Sequence, residues 1–228
     1  MQEALFPLLA GLAAYLIGSL SFAVIISHLM GLSDPRSYGS GNPGATNVLR
    51  SGNRKAAILT LVFDALKGVV PVLLVKFYGE RVGLGEGTQA LVALTAFLGH
   101  LWPVFFKFMG GKGVATAAGA ILALNWMLGL MMLVVWLAVA FFTRYSSLAA
   151  IVAAAFAPIA QAMIWGAGAE VGVLVLMSLL LIWRHAGNIR KLMAGTESKI
   201  GQKAGAAGAA GTAAAVTRAP KSTKKGKH

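Results

Sequence analysis

The sequence predicts an all-α integral membrane protein of about seven transmembrane helices, one or more of them short or broken. Three observations carry this. Of 228 residues, 57% are hydrophobic and 12% charged, against the roughly 25% charged residues of a soluble domain. The mean hydropathy is +0.75. Apolar runs long enough to cross a hydrocarbon layer of ~30 Å recur through the first 200 residues, which excludes both a soluble core and a single anchor. Cysteine is absent, so disulfide and thiolate chemistry are excluded.

The runs and their breaks place spans at 4–31, 54–77, 88–108, 113–124, 126–143, 146–166 and 169–193. The first lacks a basic n-region and is too long for a removable signal, so it is expected to stay as a span. The fourth, Gly113 to Leu124, falls short of the ~17–25 residues a crossing helix needs, and reads as a partial helix beginning inside a cavity. A five-span arrangement, with 113–143 as one long tilted helix and another run re-entrant, stays open.

Charge sets the expected orientation. The net charge is +13, but residues 1–200 hold 14 Lys and Arg against 7 acids, while 201–228 hold six basic residues and no acid. That Ala/Gly/Lys-rich segment reads as a disordered, basic cytoplasmic tail beyond a transmembrane domain over 1–200. With the N-terminus outside, 17 basic residues fall inside and only Lys76 and Arg81 outside, as the positive-inside rule requires. The placement argues for a lipid bilayer, not a nucleic acid, as the partner of this charge. The same arrangement brings three polar segments to one face.

The first is Ser37-Tyr38-Gly39-Ser40-Gly41-Asn42-Pro43-Gly44-Ala45-Thr46-Asn47-Val48-Leu49-Arg50. Its glycines permit close backbone approach to an anion, Ser40, Thr46 and Asn47 add short donors, and Arg50 adds a fork suited to phosphate. A solvated turn accounts for Asn42-Pro43-Gly44 but leaves the other donors unexplained. The second is Gly99-His100-Leu101-Trp102-Pro103-Val104-Phe105 followed by Gly110-Gly111-Lys112-Gly113-Val114-Ala115-Thr116. Lys112 stands at an expected helix N-terminus, where free N–H groups favour an anion. A snorkelling lysine would need no flanking glycines. The third is Arg184-His185-Ala186-Gly187-Asn188-Ile189-Arg190-Lys191, then Gly195-Thr196-Glu197. On a helix His185 and Asn188 share a face, while Arg184 and Lys191 suit either headgroups or a substrate anion. Asp64 and Lys67, three apart within the second span, read as a structural pair that props the site.

Other chemistries fail on spacing. Ala45-Thr46 follows Gly39-x4-Gly44, so there is no Walker A loop. Phe105 stands where a His-x4-Asp acyltransferase arrangement needs its acid. Neither a carboxylate pair nor a Cys/His cluster points to a metal, and no cofactor is implied.

With these segments quoted, the chain resembles the bacterial acyl-phosphate:glycerol-3-phosphate acyltransferases over about residues 5–200. The likeness rests on Gly39 through Arg50, on Gly99-His100-x2-Pro103-Val104-Phe105 with Gly110 through Ala115, and on His185, Asn188, Ile189, Arg190 and Gly195-Thr196-Glu197. Where the family usually shows His-Arg-Glu-Asn, this chain has His185-Ala186-Gly187-Asn188. The resemblance implies seven helices and an active site at the cytoplasmic face of the bacterial inner membrane. It implies acyl transfer from an acyl phosphate to the sn-1 hydroxyl of glycerol 3-phosphate, giving lysophosphatidic acid and phosphate, with no obligatory protein partner. Carried over by position, Ser40, Arg50, Lys112, His185 and Asn188 are the catalytic group. Gly41, Asn42, Gly44, Thr46, Asn47, Gly111, Gly113 and Glu197 bind substrate. Two alternatives stand beside this: an acyltransferase that uses acyl-CoA or acyl-carrier protein, and a transporter or channel for phosphate compounds.

Overall fold

The computed structural model describes residues 2–202; the expected tail lies outside the described residues from 203 on. Among them the chain is helical without strands. In order come α1 (Gln2–Gly18), α2 (Phe22–Leu29), α3 (Ala45–Leu49), α4 (Arg54–Tyr78), α5 (Glu86–Leu101), α6 (Val114–Leu124), α7 (Trp126–Thr143), α8 (Ser146–Ile164), α9 (Ala169–Arg184) and α10 (Ala186–Met193).

Four stretches are long and apolar enough to cross a membrane alone: Arg54–Val82, Glu86–Phe106, Trp126–Thr143 and Ser146–Ile164. Two bent pairs, α1 with α2 at 40° and α9 with α10 at 56°, raise the total to six if each is one broken span. The remaining element, α6, has 11 residues. At 1.5 Å per residue it covers about 16 Å, half of a hydrocarbon layer. The expected seven therefore resolve into up to six full spans and one half-length helix. The single-helix reading of 113–143 is excluded, because Asn125 leaves the helical region (φ −137°, ψ 102°) and its side chain caps α7, accepting from Met127 N and Leu128 N at 3.2 Å.

Small residues set the packing, as expected where lipid offers no hydrophobic drive between helices. A Cβ added to Gly68 of α4 would lie 2.2 Å from the Thr116 carbonyl oxygen, and one on Gly119 of α6 would lie 2.2 Å from that of Ala65. Gly18 and Gly99 seat α1 on α5 in the same way, at 2.1 Å from Ala96 O and 2.3 Å from Tyr15 O. The α4–α6 crossing fixes where α6 begins. Thr116 lies beside Asp64, more than two turns inside α4, so the N-terminus of α6 opens well below the end of the neighbouring span. At its other end the free carbonyls of Ala123 and Leu124 accept from Lys76 Nζ at 3.1 and 3.0 Å.

Below the α6 N-terminus lies a buried polar cluster. Lys67 Nζ sits 2.8 Å from Asp64 Oδ1 and donates at 2.7 Å to the Leu20 carbonyl, which the break between α1 and α2 leaves free. The hydroxyl of Thr116 donates to Asp64 O at 2.8 Å. Its remaining contact, 3.2 Å to His100 Nδ1, therefore has the ring as donor. The Asp64–Lys67 pair thus ties α4 to the α1–α2 break, the propping role its spacing suggests.

Candidate active site

The three polar segments meet at one end of the bundle. Each is positioned by a local backbone reason. In the first, Gly39 and Gly41 take left-handed conformations (φ 61° and 67°), which lets the chain fold back on α3. Asn47 holds that fold: its Nδ2 donates to Pro35 O at 2.6 Å and Tyr38 O at 3.1 Å, while its Oδ1 accepts from Ser40 N at 2.9 Å. The side chain is 2% exposed and its polar atoms are occupied by the loop itself. Arg50 lies over Gly39, where an added Cβ would meet its Cδ at 3.1 Å and Nη1 at 3.4 Å.

In the second segment Gly111 sits against both neighbours. An added Cβ would lie 2.2 Å from His100 Nε2 and 3.0 Å from Pro43 O, so the turn touches the first loop and has no room for a side chain. Gly113, at φ 81°, then turns the chain into α6. The third segment grips this turn. The Arg184 guanidinium donates from Nη2 to Gly110 O at 2.7 Å and Gly111 O at 2.9 Å, and from Nε to Gly111 O at 3.1 Å. Lys112 Nζ donates to Asn188 Oδ1. Asn188 Nδ2 in turn donates to Glu197 Oε1 at 2.6 Å, which also accepts from Ser147 Oγ at 2.7 Å. His185 Nδ1 lies 2.8 Å from Leu181 O. Since a carbonyl only accepts, Nδ1 carries the proton and Nε2 keeps its lone pair.

Between the segments is an open cleft of about 280 Å³, lined by Ser40, Gly41, Asn42, Gly110, Lys112, Arg184, Gly187, Asn188 and Lys191. Burial, opposed by Glu197 and reinforced by the cations of Arg50, Lys191 and Arg184, brings the Lys112 ammonium down to about 8. The charge of this end is lopsided. Its other acid, Asp34, is engaged by Arg36 at 2.6 Å, so the cleft carries an excess of positive charge suited to anions. Among the described residues no cluster of three metal-ligating side chains occurs.

Five of the predicted residues, Ser40, Gly41, Asn42, Lys112 and Asn188, line this cleft together. Gly111 and Gly113 lie outside the lining, on either side of Lys112: Gly111 packs on His100 and Pro43, and Gly113 on Phe97 and Leu101. Glu197 reaches it only through Asn188, and Arg50 and the buried His185 flank it. Gly44 serves as the N-cap of α3, and Thr46 is exposed on that helix, away from the lining. Ser147 carried no signal in the sequence, because its contact with Glu197 joins residues 50 apart. Arg184 and Lys191 were ambiguous there and lie in the cleft wall here.

Fold and site together define a polytopic helical membrane protein with a cationic cleft built around a half-length helix. The chain belongs to the glycerol-3-phosphate acyltransferase family, whose pattern it matches over residues 8–195. It is 63% identical over 196 residues to the glycerol-3-phosphate acyltransferase of Paraburkholderia phytofirmans, covering 86% of this chain and 92% of that one. With the Herminiimonas arsenicoxydans protein of the same name it shares 58% over 203 residues, or 89% and 99% of the two chains. Its fold is similar to the crystal structure of PlsY (YgiH), an integral membrane glycerol 3-phosphate acyltransferase, in the glycerol 3-phosphate form. The TM-score is 0.79 at 37% identity, over 86% of this chain and 96% of that one. The lysophosphatidic acid form of the same protein gives 0.77 at 35% identity, over 85% and 94%.

Proposed function

We propose that this protein transfers an acyl group from an acyl phosphate to the sn-1 hydroxyl of glycerol 3-phosphate, releasing phosphate and lysophosphatidic acid. The site would face the cytoplasm at a bacterial inner membrane, the side to which the excess of basic residues assigns it. One observation carries the reading. The cleft gathers Lys112, Arg184 and Lys191 against a glycine loop, yet its lining among the described residues holds no histidine, cysteine or carboxylate. Such a site suits a donor already activated, with catalysis by positioning two anions and offsetting their repulsion.

In this reading the acceptor hydroxyl oxygen forms the new bond to the acyl carbon. The acyl–oxygen bond to phosphate breaks with its electron pair on the leaving phosphate, and the hydroxyl proton passes to that phosphate. Ser40 and Gly41 hold a phosphate from the loop, with Asn47 and Gly39 giving the loop its shape. Lys112 and Arg50 neutralise phosphate charge. Asn188 spends its oxygen on Lys112, fixing the ammonium in the cleft, and Glu197 fixes Asn188. His185 presents Nε2 to orient the acceptor.

The test is phosphate release by the purified, detergent-solubilised protein given palmitoyl phosphate and glycerol 3-phosphate, with palmitoyl-CoA as a parallel donor and Lys112→Ala as control. Release that requires glycerol 3-phosphate and collapses in the variant supports the proposal. Turnover with palmitoyl-CoA alone refutes the donor. Absence of turnover with either, in folded protein, refutes the acyl-phosphate donor and brings forward the acyl-carrier-protein and transporter readings.

A further inference from the structure

Beyond α10 the chain reverses and returns to the bundle. Gly195, in the left-handed region at φ 69°, ends the helix. Its N–H donates to Leu192 O at 3.1 Å, and that of Thr196 to Lys191 O at 2.8 Å. These are the two bonds of a Schellman cap, which satisfies the last carbonyls and turns the chain back. The residues that follow lie against the turn between α7 and α8. Ile200 N donates to Arg144 O at 2.8 Å, Arg144 Nη2 donates back to Ile200 O at 3.3 Å, and the Lys199 ammonium stands 5.8 Å from the centre of the Tyr145 ring. The loop from 195 to 200 is thus tied at one end to α10 and at the other to Arg144.

Glu197 sits in the middle of this loop, where Ser147 from the first turn of α8 meets it. The serine is buried, and its Oγ donates to Glu197 Oε1 at 2.7 Å, the same oxygen that accepts from Asn188 Nδ2 at 2.6 Å. Asn188 accepts in turn from Lys112. Of these four residues only Asn188 and Lys112 line the cleft, and α8 supplies nothing to the lining. A carboxylate on a loop is free to choose among rotamers and to turn toward water. A hydroxyl fixed on a helix removes that freedom by holding one of its oxygens. The seat matters for charge as well. Around Lys112 stand the cations of Arg50, Arg184 and Lys191 and the imidazole of His185, and Glu197 supplies the negative charge that opposes them.

We infer that Ser147 is a positioning residue for the reaction: with the Arg144–Ile200 clasp, it seats the Glu197 carboxylate so that Asn188 and the Lys112 ammonium are held facing the cleft. This rests on the reading above in which Lys112 serves a substrate phosphate. Without the hydroxyl, Glu197 turns toward water, Asn188 loses a partner, and Lys112 loses the neighbour that favours its protonated form.

The experiment measures kcat/KM for glycerol 3-phosphate against pH in the full, detergent-solubilised chain, by phosphate release at saturating palmitoyl phosphate. Ser147→Ala is expected to lower kcat/KM roughly tenfold at about pH 7.5 and to move the alkaline limb to lower pH, the direction expected of Glu197→Gln. A serine that only packs α8 would lower the thermal midpoint and leave the limb in place. Ser147→Thr keeps the hydroxyl and should return rate and limb toward the wild-type values. On a Glu197→Gln background, Ser147→Ala should cost less than about twofold more, because the two changes break the same contact. Ile200→Pro tests the clasp without touching α8. Position 200 precedes Gly201, at φ 89°, in a turn closed by Gln202 N to Lys199 O at 3.2 Å, a place that suits proline. The change removes the N–H that Arg144 O accepts while keeping the turn, and it should reproduce the limb shift. Ser147→Ala with its full loss on the Glu197→Gln background overturns the inference, as does Ile200→Pro with the wild-type limb. A flat wild-type profile overturns the Lys112 reading beneath it, whereas a sloping one that Ser147→Ala leaves in place overturns the inference alone.

Discussion

Lys112 gives the sharpest prediction, because its charge is tuned by the tertiary structure and titrates in an accessible range. Burial places its ammonium at about 8, and only the protonated form serves a phosphate. Glycerol 3-phosphate is already a dianion above pH 7, since the second phosphate ionisation lies near 6, so the substrate adds no limb of its own there. kcat/KM reports the ionisations of the free enzyme. One group at about 8 is about three-quarters protonated at pH 7.5 and only about 3% protonated at pH 9.5. The expected outcome is therefore a fall in kcat/KM for glycerol 3-phosphate of roughly 25-fold over those two pH units. The assay is initial-rate phosphate release at limiting acceptor and saturating palmitoyl phosphate. Lys112→Arg keeps the charge throughout this range and should flatten the limb, even if its absolute rate is lower. A flat wild-type profile, or the same fall in Lys112→Arg, would refute the reasoning. A stability corollary carries the opposite sign. A lysine lowered from its ordinary value opposes folding while charged, by about 3 kcal/mol, and that opposition fades as pH rises from about 8 toward 10.5.

Three further outcomes follow from the contacts. Asp64→Ala leaves the buried Lys67 ammonium with only the Leu20 carbonyl and should cost about 3–5 kcal/mol, read as a lower thermal midpoint in detergent; Asp64→Leu combined with Lys67→Met should be more stable than the single variant. Glu197→Gln weakens the bonds to Asn188 and Ser147 and should cut kcat/KM by roughly tenfold. Because Glu197 raises the Lys112 ionisation, it should also move the alkaline limb to lower pH, and an unmoved limb would separate the two residues. His185→Ala should lose only about tenfold in kcat with the pH profile unchanged, if the leaving phosphate is the proton acceptor; a loss of ~10²–10⁴ with an altered profile would identify the histidine as an obligatory base.

Much of the candidate site is legible without coordinates, because its residues announce themselves by being out of place. A run of Gly39, Ser40, Gly41 and Asn42 between apolar spans has no lipid-facing use, and Lys112 between glycines is no ordinary interfacial lysine. The positive-inside count brought the three segments to one face from charge alone; the Lys112–Asn188 and Arg184–Gly110 contacts join the second and third, and the close approach of Gly111 to Pro43 joins the first. Roles within the segments were harder to read. Asn47 looked like a ligand and is a strut of the loop, since a short amide serves either purpose and only its partners tell which. Ser147 was invisible, and Arg184 was ambiguous between headgroup and substrate anion, whereas it donates to the turn carbonyls of Gly110 and Gly111.

By itself, then, the sequence determined the class of the chain and its family and singled out its three polar loops, because composition and motif are local and additive along the chain. Only the tertiary structure decided how deep α6 starts, that Asn125 separates it from α7, and that Lys112 is drawn down to about 8. Those are set by close approach and desolvation, at Gly68 against Thr116, at Gly119 against Ala65 and in the walls of the cleft. Both depend on atoms brought together from distant parts of the chain, whose distances no reading of spacing contains.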